Sequence, residues 1–315
     1  MGSSMTETPQ QPVLSVVIPL YRESAHLSGT MKEIVDVLKS TGVSFEIVLV
    51  DDGSPDNTWD AILEQKKQYE QIQGVRLSRN FGKESALAAG LEIARGNAIL
   101  VMDGDLQHPP ALIPEMIQHW RDGAEVVEAV KRTRGNETRA NRLRAQLFYG
   151  IFRRLTGVDL HGASDFKLMD RRVLDAWRRL CERNLFFRGM NAWLGFRRVQ
   201  IPFDVAERVG GQTGWSLAQL IKLAMTAVTS FSSAPLYLMI VVASGFAFLA
   251  LLLGVQTVYL KFSGHAVDGF TTVILLILIL GSVVMFGLGL MGVYIARIYD
   301  EVKGRPRYVI AELVK

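Results

Sequence analysis

The chain has 315 residues, 49% of them hydrophobic and 21% charged, and a mean hydropathy of +0.19, a mixture that excludes disordered and collagen-like chains and requires the apolar residues to be segregated. A lone cysteine, Cys181, excludes an internal disulfide and with it a disulfide scaffold. The formal net charge of +4 leaves three anionic partners open: nucleic acid, a membrane surface or a charged substrate.

Met1-Gly-Ser-Ser4 reads as an expression-tag remnant, and residues 1–12 are expected to form a disordered tail. No apolar run follows the first methionine, so a cleaved signal peptide is not expected. Leu14-Ser-Val-Val-Ile-Pro19 is a β-branched run closed by proline, and Phe45-Glu-Ile-Val-Leu-Val50 is another, ending at Asp51-Asp-Gly-Ser54. Between them Ile34, Val35, Val37 and Leu38 recur at helical spacing. A helical stretch around Ser85 to Ala94 precedes a third apolar run, Ala98 to Met102, which ends at Asp103-Gly-Asp105. Alternating strands and helices predict an α/β domain with a mostly parallel sheet, and such sheets bind ligands beyond the carboxyl ends of their strands. Two of those ends carry paired acids. The G-x-G-x-x-G of a nicotinamide-binding domain is absent after the first strand, where Pro19-Leu-Tyr-Arg-Glu23 stands.

Asp103 and Asp105 alternate around a glycine, so both carboxylates can turn toward one point. Two hard oxygen ligands suit Mg²⁺ or Mn²⁺, which takes its remaining ligands from water and substrate phosphates. Further along, Lys131-Arg-Thr-Arg134 follows an apolar strand, and Arg139, Arg142 and Arg144 open a predicted amphipathic helix whose basic face Arg153 and Arg154 continue and whose other face carries Leu143, Leu147, Ile151, Phe152 and Leu155. Such a helix suits an anionic membrane surface, and no nucleic-acid motif accompanies it, so nucleic acid is not an expected partner. Asp170, beside Arg171 and Arg172, reads as an ion pair or a helix start.

Pro235 to Leu260 contains no charged side chain, and its roughly 26 residues reach about 39 Å as a helix. Gly269 to Ala296 is a second such run, with small residues at Gly281, Gly287, Gly289 and Gly292 that suit close packing in lipid. Only Lys261 to Asp268 separates the runs, whereas Arg297, Lys303, Arg305, Arg307 and Lys315 follow the second. The positive-inside rule then predicts a hairpin with both chain ends in the cytoplasm. The expected division is a cytoplasmic domain over 13–233 that includes amphipathic juxtamembrane helices, a two-helix transmembrane hairpin over 234–297, and a cytoplasmic tail over 298–315. The five histidines lack zinc-ligand spacing, and Trp177, Trp193 and Trp215 read as core or interface residues.

Six stretches in order, Val17-Ile-Pro-Leu-Tyr-Arg-Glu23, Val50-Asp-Asp-Gly-Ser54, Arg79-Asn-Phe-Gly-Lys83, Asp103-Gly-Asp-Leu-Gln-His-Pro-Pro110, Ser164-Asp-Phe-Lys-Leu-Met-Asp170 and Gly292-Val-Tyr-Ile-Ala-Arg-Ile-Tyr299, carry a resemblance. Over about nine-tenths of its length the chain resembles glycosyltransferase family 2, and within it the polyprenyl-phosphate group of bactoprenol glucosyltransferases and dolichyl-phosphate mannose synthases. The resemblance implies a GT-A fold and a multi-pass enzyme of the bacterial inner membrane. It would transfer one sugar, with UDP-glucose the expected donor, to undecaprenyl phosphate with inversion. It implies that Pro19, Tyr21, Glu23, Asp51, Lys83 and Asp103 bind the nucleotide sugar, with Asp51 weighted above Asp52, and that Asp103, Asp105 and Gln107 hold Mg²⁺ or Mn²⁺. It also implies that Arg132, Arg142 and Arg208 hold the acceptor phosphate and that Asp105, Asp165 and Arg208 serve catalysis, Asp165 as a base or as a sugar-positioning group. Relatives carry Ser-Lys-Tyr where Thr213-Gly-Trp215 stands here, which removes one cation. GDP-mannose, UDP-N-acetylglucosamine, UDP-galactose and an amino-arabinose donor stay open, as does an idle membrane adaptor for a flippase or a glycosyltransferase. A processive polysaccharide synthase is disfavoured by the missing Q-x-x-R-W motif and by only two spans. A homo-oligomer is expected from the small-residue surface of the spans.

Overall fold

The computed structural model describes residues 12–131, 150, 154, 164–180, 187–203, 234–263 and 269–315. They fall into two compact units, one holding the α/β domain together with the last residues of the chain and the other holding the apolar helices.

In the first unit β1 (Leu14–Leu20) leads to α1 (Leu27–Ser40), β2 (Phe45–Asp51), α2 (Thr58–Gln68), β3 (Ile72–Leu77), α3 (Lys83–Ile93) and β4 (Ala98–Val101). A 3-10 turn at Pro110–Leu112 introduces α4 (Ile113–Arg121), and β5 (Val126–Lys131), β6 (Lys167–Asp170), α5 (Arg171–Arg178), α6 (Phe187–Trp193) and β7 (Arg198–Phe203) follow. The last strand, β8 (Ile310–Val314), lies close to the chain's end. The sheet order among the described residues is β7-β5-β6-β4-β1-β2-β3-β8. It is mixed: β1 pairs in parallel with β2 and β4, β2 with β3, and β5 with β7, whereas β6 runs antiparallel to β4 and β5, and β8 antiparallel to β3.

The central strands are near-continuous apolar runs because both faces of the sheet are covered. Val16, Ile18, Ile47 and Leu49 join Met31, Ile34 and Leu38 of α1 in one buried cluster. On the other face α3 packs against β1 and β2 at Gly90, where a Cβ would stand 2.4 Å from Val17 Cγ1 and 3.0 Å from Val50 Cγ2. Parallel register then does the positioning. Leu20 is level with Asp51 and Val17 with Val101, so the loops after β1, β2 and β4 leave from one edge. Because β6 is antiparallel to β4, with Lys167 opposite Val101, the residues just before Lys167 run past that same edge.

Asp170 starts α5. Its carboxylate accepts from Arg172 N at 3.0 Å and from Trp120 Nε1 at 2.9 Å and pairs with Arg172 Nε at 3.0 Å. Burial raises its pKa, but these donors outweigh that and hold it below the usual value. The stretch expected to be a tail, 298–315, is helical to Val302 and then supplies β8, whose Ile310, Glu312 and Val314 lie level with Leu77, Arg76 and Gly74 of β3.

In the second unit, α7 (Ala234–Phe262) and α8 (Phe270–Val302) contain apolar stretches of 26 and 27 residues, Pro235–Leu260 and Leu276–Val302, long and apolar enough to cross a membrane. Phe248, Leu251, Ile277 and Phe286 are exposed. Of the four glycines in α8, Gly287 meets the neighbouring helix, with a Cβ there 2.8 Å from Met239 Cε; Gly281, Gly289 and Gly292 have nothing within 4 Å of a Cβ.

Gly90→Val is expected to destabilise the domain by about 2 kcal/mol, because the stiff Val17 and Val50 side chains cannot yield. Asp170→Ala is expected to cost about 2 kcal/mol by removing a helix cap and the Trp120 bond. Chemical denaturation of each variant checks both. The Asp170 contribution is present above the unfolded-state pKa and is lost as pH falls through the lowered folded-state pKa, so the wild-type advantage over Asp170→Ala shrinks in strong acid.

Candidate active site

A cavity of about 290 Å³ opens at the shared strand edge. Pro19, Leu20, Tyr21 and Glu23 line it from the end of β1, Asp52 from the end of β2, Asn80 and Gly82 from the loop after β3, Lys83 and Ala86 from the first turn of α3, and Asp103, Gly104 and Asp105 from the end of β4. Glycines let these loops approach one another. Gly53 has a φ of +61°, and a Cβ there would sit 2.3 Å from the carbonyl carbon of Arg79. A Cβ on Gly104 would sit 2.7 Å from Leu20 Cδ2. Among the described residues two that are not glycine also take the left-handed region, Arg22 with φ 60° and Leu106 with φ 54°, each flanked by residues of the site.

Of the residues expected to bind a nucleotide sugar, Pro19, Tyr21, Glu23, Lys83 and Asp103 line the cavity, and Asp51 does not. Asp51 is wholly buried, its carboxylate accepting from Ser54 N at 2.9 Å. Its neighbour Asp52 faces the cavity and accepts from Phe81 N at 2.7 Å and Gly82 N at 2.9 Å, fastening the loop after β3 to the end of β2. The sequence carried a cue to that loop contact in Gly82, whose φ of +97° only glycine adopts readily. Burial raises the pKa of Asp52, and the two main-chain donors oppose the rise.

Lys83 joins two distant segments. Its Nζ lies 2.6 Å from Asp103 Oδ1 and 2.8 Å from Asp165 Oδ2. Burial works against its charge, but the Asp103 and Asp165 carboxylates prevail and raise its pKa above the ordinary lysine value. Among the described residues lining the cavity Lys83 is the only cation, facing Glu23, Asp52, Asp103 and Asp105. The excess of negative charge registers on Glu23, whose pKa is raised first by burial and then by Asp105 and Asp103, with His26 opposing.

Asp103 and Asp105 offer hard oxygens, and Gln107 belongs to the same turn, its main-chain N–H donating to Asp105 Oδ1 at 3.1 Å. Among the described residues there is no cluster of three or more His, Cys, Asp or Glu side chains arranged to hold a metal ion. A two-carboxylate set in an acidic field fits a divalent cation that draws its other ligands from phosphate and water, and does not fit a fully protein-caged structural metal. Arg132, Arg142 and Arg208, the expected juxtamembrane helices and the Thr213-Gly-Trp215 departure lie outside the described residues.

Residues 15–178 match the model of the glycosyl transferase family 2. An uncharacterized glycosyltransferase of Synechocystis sp. is 39% identical over 305 residues, 95% of each chain. The bactoprenol glucosyl transferase of Shigella phage SfII is 35% identical over 94% of this chain and 97% of that one, and a prophage bactoprenol glucosyl transferase homolog of Escherichia coli K12 is 34% identical over 96% and 99%. Among solved structures, mannosyl-3-phosphoglycerate synthase of Rubrobacter xylanophilus aligns with a TM-score of 0.47 and 17% identity over 70% of this chain and 73% of that one. With the family model matched across more than half its length and relatives above 30% identity matched nearly end to end, the chain belongs to glycosyltransferase family 2.

Proposed function

We propose that the protein transfers a single sugar, glucose from UDP-glucose, to undecaprenyl phosphate at the cytoplasmic face of the inner membrane. The observation that carries this reading is the cavity in which Asp103, Asp105 and Lys83 converge at the strand edge, in a chain that also carries two membrane-length apolar helices. The near full-length similarity to bactoprenol glucosyl transferases supports the lipid acceptor and the glucose. The order of elements supports a hairpin: β8 follows both apolar helices, yet it lies in the same sheet as strands that precede them, so a chain crossing the membrane at each helix leaves and returns on one side.

In this reading the base and ribose sit against the ends of β1 and β2, and the diphosphate sits at the first turn of α3, where Lys83 and the helix N-terminus favour anions. Asp103 and Asp105 would hold Mg²⁺ or Mn²⁺, with Gln107 fixing the turn, and the cation, when bound, would stabilise charge on the departing diphosphate. An oxygen of the acceptor phosphate attacks the anomeric carbon as the bond from that carbon to the diphosphate oxygen breaks; its electron pair leaves with UDP and the configuration inverts. Arg132, Arg142 and Arg208 would hold the acceptor phosphate in two-point geometry. A phosphate monoester with a second pKa of about 6 is largely dianionic at neutral pH and needs no base. The Lys83–Asp165 contact supports the same view, because it engages Asp165 as a counter-charge that orients Lys83.

Purified protein in detergent, offered undecaprenyl phosphate with UDP-glucose, UDP-galactose, UDP-N-acetylglucosamine, GDP-mannose or UDP-4-amino-arabinose, is expected to form the glucosyl lipid phosphate by mass spectrometry. A different single product would correct the donor, and no product from folded protein would leave the idle-adaptor reading. Asp105→Asn is expected to lower turnover by about 10²-fold or more, with the fold intact by circular dichroism. Asp165→Asn is expected to lower the rate without altering the pH profile; loss of a limb of that profile would make Asp165 a base.

A further inference from the structure

The segment after α8 is fastened to the α/β domain by side chains as well as by strand pairing. Arg307 Nη2 donates to the Leu180 carbonyl at 2.6 Å, and the Tyr308 hydroxyl donates to Glu92. In β8, Glu312 accepts from two donors on different elements, Trp59 Nε1 of α2 at 3.1 Å and Arg76 Nη1 of β3 at 3.0 Å. The Arg76 guanidinium has a second face. Its Nε lies 3.7 Å from Asp51 Oδ2, a buried carboxylate oxygen with no hydrogen-bond donor among the described residues.

From Asp51 the contacts lead to the cavity wall. Asp51 Oδ1 accepts from Ser54 N at 2.9 Å, and Ser54 Oγ accepts from Arg22 N at 3.0 Å. Arg22 is the left-handed residue between Tyr21 and Glu23, both of which line the cavity. A non-glycine residue holds that backbone only where its surroundings enforce it, and here the Ser54 hydroxyl supplies one enforcing bond. The Asp51 carboxylate in turn needs a cation close by, because burial alone favours its neutral form. Arg76 is that cation, and its side chain is one-third exposed, so something must keep it from turning to water.

We propose that Glu312 is a positioning residue of the donor pocket: by holding Arg76 against Asp51 it sets, through Ser54 and Arg22, the wall formed by Tyr21 and Glu23. The strand that follows both apolar helices is then part of the donor-binding apparatus. The identity of the donor as a nucleotide sugar rests on the function proposed above; the contact path does not. A purely mechanical role, pinning the end of the chain, is the competing account, and Tyr308 separates the two because its bond to Glu92 pins the same segment without touching Arg76.

The test uses the full chain in detergent with Mn²⁺, reading UDP affinity by calorimetry, donor KM and kcat by lipid transfer, and Tm. Glu312→Gln is expected to raise the UDP dissociation constant and the donor KM about fivefold or more with kcat within about twofold, the signature of lost ground-state binding. Glu312→Asp is expected to restore part of that loss. Arg76→Lys is expected to weaken donor binding similarly, and combining it with Glu312→Gln to add little, because both act through one contact. Tyr308→Phe is expected to lower Tm and leave donor KM unchanged. Donor constants unmoved by Glu312→Gln, or moved equally by Tyr308→Phe, overturn the inference while the proposed function stands. Wild-type protein that binds neither UDP nor GDP overturns both.

Discussion

Carboxylates gathered at one edge of a parallel sheet are the constraint on which the rest of this site depends. Parallel pairing of β1 with β2 and β4 forces Glu23, Asp52, Asp103 and Asp105 toward a common opening, and Asp165 arrives beside them on the antiparallel approach to β6. Like charges at such spacing repel, and burial adds to the cost. The chain answers with fixed donors where it can: main-chain N–H groups at Asp52 and the Lys83 ammonium between Asp103 and Asp165. Around Asp103 and Asp105 this leaves carboxylate oxygens that suit a divalent cation, and in the function proposed above such a cation, accepting phosphate oxygens, would turn an acidic pocket into one that binds a diphosphate.

Close approach of backbone is the second requirement. Gly53 against Arg79, Gly104 against Leu20 and Gly90 against Val17 each occupy a place where a side chain would force two loops or layers apart. These glycines belong to the same short stretches as the acids, or to the helix packed behind them. Charge placement and loop spacing are therefore set by the same segments of sequence. Stability of the core and geometry of the site are coupled through them, with α3 serving both: its Gly90 seats it on the sheet and its Lys83 reaches the carboxylates.

Much of this was legible in the chain itself. The β-branched runs ending in Asp51-Asp52 and Asp103-Gly-Asp105 marked strands, their direction and their ligand-facing ends, because a parallel α/β pattern leaves little choice about which edge binds. Which of Asp51 and Asp52 faces the cavity was not legible, since it depends on the loop after β3 closing over Asp52 from 29 residues away. The Lys83–Asp165 contact spans 82 residues and the Trp59–Glu312 bond 253, and no local pattern encodes either. Ile310 to Val314 was read as part of a tail because five residues carry too little periodicity to announce a strand; pairing with the edge of β3 makes it one. The two long apolar helices were legible from hydropathy, whereas which glycine meets the neighbouring helix was not, because glycine in an apolar helix does not say which way it faces.

The claim that the acidic edge binds a diphosphate through a divalent cation is tested most directly by calorimetric titration of the full-length protein with UDP, in chelator and at increasing Mn²⁺. Linkage predicts UDP affinity that rises with Mn²⁺ by about tenfold or more, an equal rise in Mn²⁺ affinity when UDP is present, and loss of both in Asp105→Asn. UDP affinity that is the same in chelator and in saturating Mn²⁺ would contradict the account.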